Sequence, residues 1–351
     1  MRYFYIFLFM NRKYFLSSLV GSGFSIPFFG RLYNDVNDTG AELQAIIPPY
    51  LNKGDTIGIT CPAGYISLAD IQPSIKLMES WGFKIKPGST VGKRDFSFGG
   101  SDEERAADLQ DMINDPAIAA IMCARGGYGA VRLIDKIDFS KLVTHPKWII
   151  GFSDITVIHT HLNRNFGVAS IHSKMCNSFP DDWSKADPIQ AETILSIKQA
   201  LTGDKMKYGL MPNAQNRLGS VEGILVGGNL NTLEGMIGTK SDLVTTGKIL
   251  FLEDTNEYPY SIDRMFWHLK RNGKLDKLAA LVLGGFKLKT DDPGEEFGRT
   301  IFDIVWQQIK EYDYPVCFDF PVGHQKNNYA LKCGVRHKLS VTRDEVSLKE
   351  L

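Results

Sequence analysis

Short apolar runs alternate with amphipathic stretches along the chain from about residue 46 onward. Residues 55–60 and 118–123 are largely apolar and end at turn-forming residues, which is typical of strands buried on both faces of a sheet. Residues 71–81 and 102–114 have the residue spacing of helices. Strands and helices in alternation predict an α/β domain with a mostly parallel sheet.

The same patterns predict further elements along the chain. Strands are predicted at 83–87, 148–151, 223–230, 248–254 and 278–283, the last ending at Gly284-Gly285, and helices at 130–137, 189–201 and 262–270. We predict an export signal and flexible segment at 1–45, followed by an N-terminal α/β domain at 46–178. A connection at 179–217 then leads to a smaller, glycine-rich C-terminal α/β domain of β-rich character at 218–351.

Composition excludes several classes of function. Forty basic residues balance forty acidic ones, so no positive excess favours a nucleic-acid partner. The five cysteines are scattered without a C-x-x-C pair, and H-E-x-x-H is absent. We therefore expect buried, unpaired thiols, no metal and no cofactor.

The first 29 residues differ from the rest of the chain in composition, because apolar and aromatic residues predominate. An apolar, aromatic start leads to the basic pair Arg12-Lys13, and an apolar, glycine-containing stretch follows. This order is typical of a bacterial export signal and loosely resembles a twin-arginine signal, in which Met10 is an alternative start. The stretch is too short for a stable membrane span. We expect export to the periplasm, or a cytoplasmic protein if the segment is not a signal.

A candidate nucleophile follows the apolar run at 148–151. Gly151-Phe152-Ser153-Asp154 joins a predicted strand to a predicted helix, as in the nucleophile elbow of hydrolases, although the sequence is not G-x-S-x-G. A serine there exposes its hydroxyl beside backbone N–H groups that could stabilise an oxyanion. The alternative is that Ser153 or Asp154 is only a helix N-cap.

A serine nucleophile needs a base and an acid that orients the base. His324 is the candidate base because it lies in a polar, glycine-containing loop, whereas His159 and His161 lie on different faces of one predicted helix. Glu253 ends a buried strand and is the candidate acid, with Asp254 as its competitor.

The glycine-rich loop at 125–129 is the third candidate feature. It follows the predicted strand at 118–123, so it lies at the same edge of the sheet as Ser153. It lacks the pattern of a nucleotide-binding loop, but its glycines allow backbone N–H groups to approach a ligand closely. The alternative is a turn whose glycines serve packing.

Together these segments resemble the LD-carboxypeptidase family of serine peptidases, which includes the microcin C immunity proteins. Six short matches run in order along the chain, at 54–63, 123–129, 151–156, 227–230, 252–254 and 323–324. They cover nearly the whole chain from about residue 48.

The resemblance implies a catalytic triad of Ser153, Glu253 and His324, in which nucleophile and acid-base pair come from different domains. It also implies an oxyanion hole from the N–H groups of Asp154 and of Gly127 or Gly126. It implies a metal-independent homodimer that releases terminal D-alanine from peptidoglycan tetrapeptides. Arg125 is a candidate for binding the terminal carboxylate.

Two alternatives to this function stay open. One is the immunity-type hydrolysis of aminoacyl-nucleotide analogues, for which Trp183 or Trp267 would be a platform for the base. The other is a non-catalytic periplasmic protein that binds muropeptides.

Overall fold

The fold is built on a six-stranded sheet and a seven-stranded sheet. The structure, a computed structural model, describes residues 45–351, so the predicted export signal lies outside the described residues. The strands are β1 (Thr56–Thr60), β2 (Lys84–Pro87), β3 (Ile118–Cys123), β4 (Trp148–Gly151), β5 (Ser170–His172), β6 (Lys207–Leu210), β7 (Gly219–Asn229), β8 (Ile249–Glu257), β9 (Ala280–Leu288), β10 (Val316–Cys317), β11 (Leu331–Cys333), β12 (Arg336–Val341) and β13 (Val346–Glu350). The helices are α1 (Leu68–Ser80), α2 (Asp102–Asn114), α3 (Lys141–Thr144), α4 (Thr156–Phe166), α5 (Pro188–Thr202), α6 (Leu230–Met236), α7 (Pro259–Arg271) and α8 (Ile301–Ile309).

The first sheet has the strand order β11-β5-β4-β3-β1-β2. Its strands from β2 to β5 are parallel, and β11 closes the β5 edge in the antiparallel direction. The sheet is parallel because helices or longer crossovers return the chain between successive strands. The carboxyl ends of β3 and β4 therefore lie side by side, which confirms the predicted mostly parallel sheet.

The second sheet has the order β10-β9-β8-β7-β12-β13-β6. Its half from β10 to β7 is parallel, and its half from β7 to β6 is antiparallel. This mixed sheet gives the C-terminal part its β-rich character. The strand β11 lies in the first sheet although it comes after β10 in sequence. The predicted domain boundaries stay a prediction.

Local sequence signals define the helices that flank the first sheet. Ser101 caps α2 by accepting a hydrogen bond from the N–H of Glu104, and the Glu104 side chain accepts one in return from the N–H of Ser101. This reciprocal pair fixes the start of the helix. The bounds of α2 and β3 agree with the sequence prediction.

The helix predicted at 130–137 is wrong, because only a 3-10 turn at Ala130–Arg132 forms there. Within the segment, the Leu133 N–H donates to the carbonyl of Ala130 and the Lys136 N–H donates to the carbonyl of Leu133. The backbone therefore makes successive three-residue turns instead of the four-residue hydrogen bonds of an α-helix.

The strand predicted to end at Gly284-Gly285 instead continues through both glycines to Leu288. A Cβ at Gly284 would lie 2.5 Å from the carbonyl oxygen of Val322, and Gly285 forms a parallel bridge to Gly323. The glycines do not stop the strand. They let the segment that carries His324 pack directly on it.

The interior is apolar and closely packed around both sheets. Side chains such as Ile59, Trp148, Ile150, Phe251 and Val282 are fully buried. Residues 45–351 lie in one compact unit. Within the described residues, we find no helix of the length and apolar character that a membrane span requires.

Candidate active site

Ser153 lies in the turn between β4 and α4 with a backbone φ of +63°. A non-glycine residue rarely adopts positive φ, and such strain is concentrated at functional sites. Helix α4 begins after Ile155 and has no side-chain cap hydrogen bond, so neither Ser153 nor Asp154 is its N-cap. The local geometry is that of a nucleophile elbow.

The structure brings Ser153, His324 and Glu253 together. The Nδ1 atom of His324 lies 2.6 Å from Oε2 of Glu253, and its Nε2 atom lies 3.2 Å from Oγ of Ser153. A carboxylate only accepts, so Nδ1 carries the proton and Nε2 accepts from the serine hydroxyl. The His324 backbone N–H also donates to Glu253 Oε2. A serine hydroxyl, an imidazole and a carboxylate joined in this order have the arrangement of a serine-hydrolase triad.

Gly323 makes the short distance between His324 and Glu253 possible. Its φ is +104°, and a Cβ built there would lie 2.5 Å from Cβ and 2.7 Å from Oε2 of Glu253. Its N–H donates to the buried side chain of Asn328 at 2.7 Å. Only glycine fits this position without displacing the carboxylate.

Glu253 and its competitor Asp254 have different partners. Glu253 is fully buried and bonds His324, whereas Asp254 accepts from the backbone N–H of Asn231 and from the side chain of Asn229. Burial raises the pKa of Asp254 to about 6, opposed by the N–H of Asn231. Asp254 thus holds the turn from β7 into α6, and it is Glu253 that reaches the imidazole.

The loop at 125–129 packs against the elbow, as predicted. A Cβ at Gly126 would lie 3.1 Å from Cβ of Ser153, and the Gly126 carbonyl accepts from the N–H of Gly64. Asp154 accepts from the N–H of Ala130 at 2.8 Å and so joins the elbow to the loop. Burial raises the pKa of Asp154 to about 6, opposed by that hydrogen bond.

A buried arginine holds the other side of this loop. The Arg105 guanidinium is fully buried and donates to the carbonyls of Pro62 at 2.6 Å, of Gly129 at 3.1 Å and of Gly100 at 3.2 Å. It also pairs with Asp102. The loop is therefore fixed at both ends, which suits backbone N–H groups that must point at one position.

The remaining predicted residues lie around this centre or away from it. Arg125 is exposed and donates to the carbonyl of Tyr65 at 3.1 Å. His159 is buried and donates from Nε2 to the carbonyl of Gly151, and burial lowers its pKa to about 4. Among residues 45–351, no group of three or more histidine, cysteine or acidic side chains is arranged to hold a metal ion.

Comparison with known proteins now identifies the family. The family described as LD-carboxypeptidase N-terminal domain matches residues 57–173, and the one described as LD-carboxypeptidase C-terminal domain matches residues 222–339. A probable murein peptide carboxypeptidase of Bacillus subtilis is 33% identical over 291 residues, which cover 82% of this chain and 90% of that protein. The chain belongs to the LD-carboxypeptidase family.

Two further relatives are similar along most of their length. The crystal structure of a muramoyltetrapeptide carboxypeptidase from Oxalobacter formigenes matches with a TM-score of 0.75 and 31% identity, over 84% of this chain and 98% of that chain. The microcin C7 self-immunity protein of Escherichia coli is 28% identical over 336 residues, covering 86% of this chain and 94% of that protein. The resemblance found in the sequence is thus confirmed for the LD-carboxypeptidase family.

Two side chains that lie near His324 in this member of the LD-carboxypeptidase family were not identified from the sequence. The Phe152 ring lies 4.9 Å from the His324 ring, and the Lys174 ammonium lies 5.4 Å from the Phe152 ring centre. Burial lowers the pKa of Lys174, opposed by the charge of Glu253. The signal for Lys174 was present, since it follows β5 at the carboxyl edge of the first sheet.

Proposed function

We propose that this protein is a serine LD-carboxypeptidase that releases terminal D-alanine from murein tetrapeptides. The observation that carries the proposal is the hydrogen-bonded series of Ser153, His324 and Glu253 at a strained elbow. The names of the relatives from Bacillus subtilis and Oxalobacter formigenes supply the substrate class.

The chemistry follows from the positions of these groups. The Ser153 oxygen attacks the carbonyl carbon before the terminal D-alanine while its proton passes to Nε2 of His324. Glu253 stabilises the resulting imidazolium. The N–H groups of Asp154 and of Gly127 or Gly126 are the proposed donors to the oxyanion. The imidazolium then protonates the leaving amine, the C–N bond breaks, and water hydrolyses the acyl-enzyme with His324 again as base.

Ser153→Ala tests this proposal. We expect D-alanine release from a muramoyl tetrapeptide to fall by about 10⁶-fold in kcat, as with nucleophile removal in other serine peptidases. The variant should fold, because a hydroxyl contributes at most about 0.5–2 kcal/mol even as a cap. D-Alanine release and thermal melts of both proteins are the measurements. A variant that melts normally and still cleaves near the wild-type rate would leave Ser153 without a catalytic role.

The same assay separates the two alternatives. A non-catalytic muropeptide-binding protein would bind the tetrapeptide but release no D-alanine. An immunity-type hydrolase would cleave an aminoacyl sulfamoyl adenosine instead, and the similarity to the microcin C7 self-immunity protein makes this the second substrate to test. Of the two candidate platforms for the base, Trp183 packs partly buried against the apolar core, and Trp267 is 41% exposed on α7.

We further propose that the chain is exported to the periplasm and acts as a homodimer. The basic pair Arg12-Lys13 before an apolar stretch supports export, and the resemblance to the family supports the dimer. N-terminal sequencing of protein from its native host should find a start well beyond Met10. An intact N-terminus in a cytoplasmic fraction would contradict export. Light scattering of the purified protein gives the oligomeric state.

A further inference from the structure

A cavity of about 390 Å³ lies between the segment after β5 and the start of α5. Lys174, Asn177, Gln190 and Thr193 are among the residues that line it. The Thr193 hydroxyl is buried and has no hydrogen-bond partner among the described residues. Two lysines, Lys174 and Lys326, line the cavity, and Lys326 is paired with Asp187 at 3.0 Å.

The Lys174 ammonium is the unusual group in this cavity. It is half-buried, donates to the carbonyl of Gln325 at 2.7 Å and lies over the Phe152 ring. None of the ion pairs among residues 45–351 includes it, since no carboxylate oxygen lies within 4.0 Å of Nζ. The charge of Glu253 compensates the ammonium only from beyond 4.0 Å, so an anion in direct contact would stabilise this partly desolvated cation. Two of its three N–H donors are available to such an anion.

The position of Lys174 relative to His324 indicates which anionic group of a bound substrate it would contact. The leaving amine must lie next to Nε2 of His324, because that nitrogen protonates it. In a terminal amino acid the carboxylate is attached to the carbon that bears this amine. Lys174 bonds the carbonyl of Gln325, the residue after His324, and contacts the same Phe152 ring as the imidazole. These contacts place the Lys174 ammonium beside the segment that carries His324.

We propose that Lys174 binds the terminal carboxylate of the substrate and makes the enzyme a carboxypeptidase. The inference rests on the proposed function, since it assumes that a terminal D-alanine leaves from His324. An ion pair with this half-buried ammonium would hold the leaving residue in place and would reject a chain that continues beyond it. The role assigned to Arg125 in the sequence passes to Lys174, because the Arg125 guanidinium is exposed and belongs to the loop on the oxyanion side.

The test compares two substrates, a muramoyl tetrapeptide that ends in D-alanine and the same peptide that ends in D-alaninamide. Wild type should prefer the free acid by about tenfold or more in kcat/KM, as a charge-assisted contact implies. Lys174→Met should lower kcat/KM for the acid by about 10- to 100-fold and for the amide by less than about threefold. Lys174→Arg, which keeps the charge, should retain the preference for the acid.

Two control variants make the result specific. Lys185→Met removes an exposed lysine that pairs with Asp182, and Arg125→Met removes the rival cation; both should keep the preference for the acid. Thermal melts of Lys174→Met should match wild type, so that a loss of activity is not a loss of fold.

The possible outcomes separate the inference from the proposed function. Loss of the preference in Lys174→Met alone supports the inference. An unchanged preference in that variant overturns it, and so does an equal fall for both substrates, which would mean that Lys174 acts on Glu253 rather than on substrate. Loss of the preference in Arg125→Met assigns the carboxylate to Arg125. A wild type that cleaves neither peptide refutes the proposed function itself.

Discussion

Gly323→Ala probes the contact that holds the proposed acid and base together. The added methyl group would lie 2.5 Å from Cβ and 2.7 Å from Oε2 of Glu253, whereas ordinary van der Waals contact begins at 3.4 Å. Glu253 or the His324 segment must therefore move by several tenths of an ångström or more. The backbone φ of +104° adds a penalty that glycine avoids.

The expected magnitude has two parts. Positive φ costs a non-glycine residue about 1–2 kcal/mol, and overpacking of a close-packed site costs about 1–3 kcal/mol. The free energy of unfolding should therefore fall by about 2–5 kcal/mol. A displacement of the carboxylate of up to about 1 Å should lower kcat/KM for D-alanine release by about 10²-fold.

Gly54→Ala is the matched control. Gly54 has a similar φ of +95°, and no atom lies within 4 Å of a Cβ built there. This variant should lose about 1–2 kcal/mol and keep its activity. Urea unfolding and D-alanine release of both variants give the comparison. If Gly323→Ala is as active as Gly54→Ala, the close approach of Gly323 to Glu253 does not position the proposed catalytic base, His324.

Three other substitutions test the carboxylates and one buried ion pair. Glu253→Gln removes the charge that fixes the tautomer of His324, so kcat should fall by about 10⁴-fold with little change in melting temperature, and activity near wild type would refute the role of the acid. Burial raises the pKa of Asp154 from 3.8 to about 6, so between about pH 4 and 6 the native state holds a proton that the unfolded state loses, and the free energy of unfolding should fall as pH rises through this range. Asp154→Asn should flatten this pH dependence in urea unfolding, whereas an unchanged slope would contradict the shifted pKa. Lys332→Met leaves Glu350 unpaired where both side chains are almost fully buried, so unfolding should become easier by about 3–5 kcal/mol, and a loss below about 1 kcal/mol in urea unfolding would show that the pair contributes little.

Local signals allowed much of the fold to be predicted. The bounds of α2 agreed because Ser101 and Glu104 form a capping box and apolar residues recur at helical spacing. The prediction failed at 130–137, where the backbone forms three-residue turns although the apolar residues have helical spacing. Periodicity indicates which positions are buried and does not distinguish such turns from an α-helix.

The site shows the same limit. The motif around Ser153 and the glycine before His324 were visible, because turn chemistry is local. The choice of Glu253 over Asp254 depended on which carboxylate reaches the imidazole, and that is decided by the pleat of β8 and by the hydrogen bonds of Asp254 to the β7–α6 turn. The position of Lys174 after β5 can be read from the sequence, but its contacts with Phe152 and Gln325 cannot.

The antiparallel strand β11 has a consequence for how the protein is made. Its partner β5 ends at residue 172, but β11 begins at residue 331, so the ribosome must deliver the whole intervening segment before the first sheet is complete. Until then the nascent chain presents β5 as an unpaired edge, which invites pairing with other chains. The last strand to reach this sheet follows shortly after the histidine loop. Completion of the sheet and arrival of the proposed catalytic base thus belong to the same late step of synthesis.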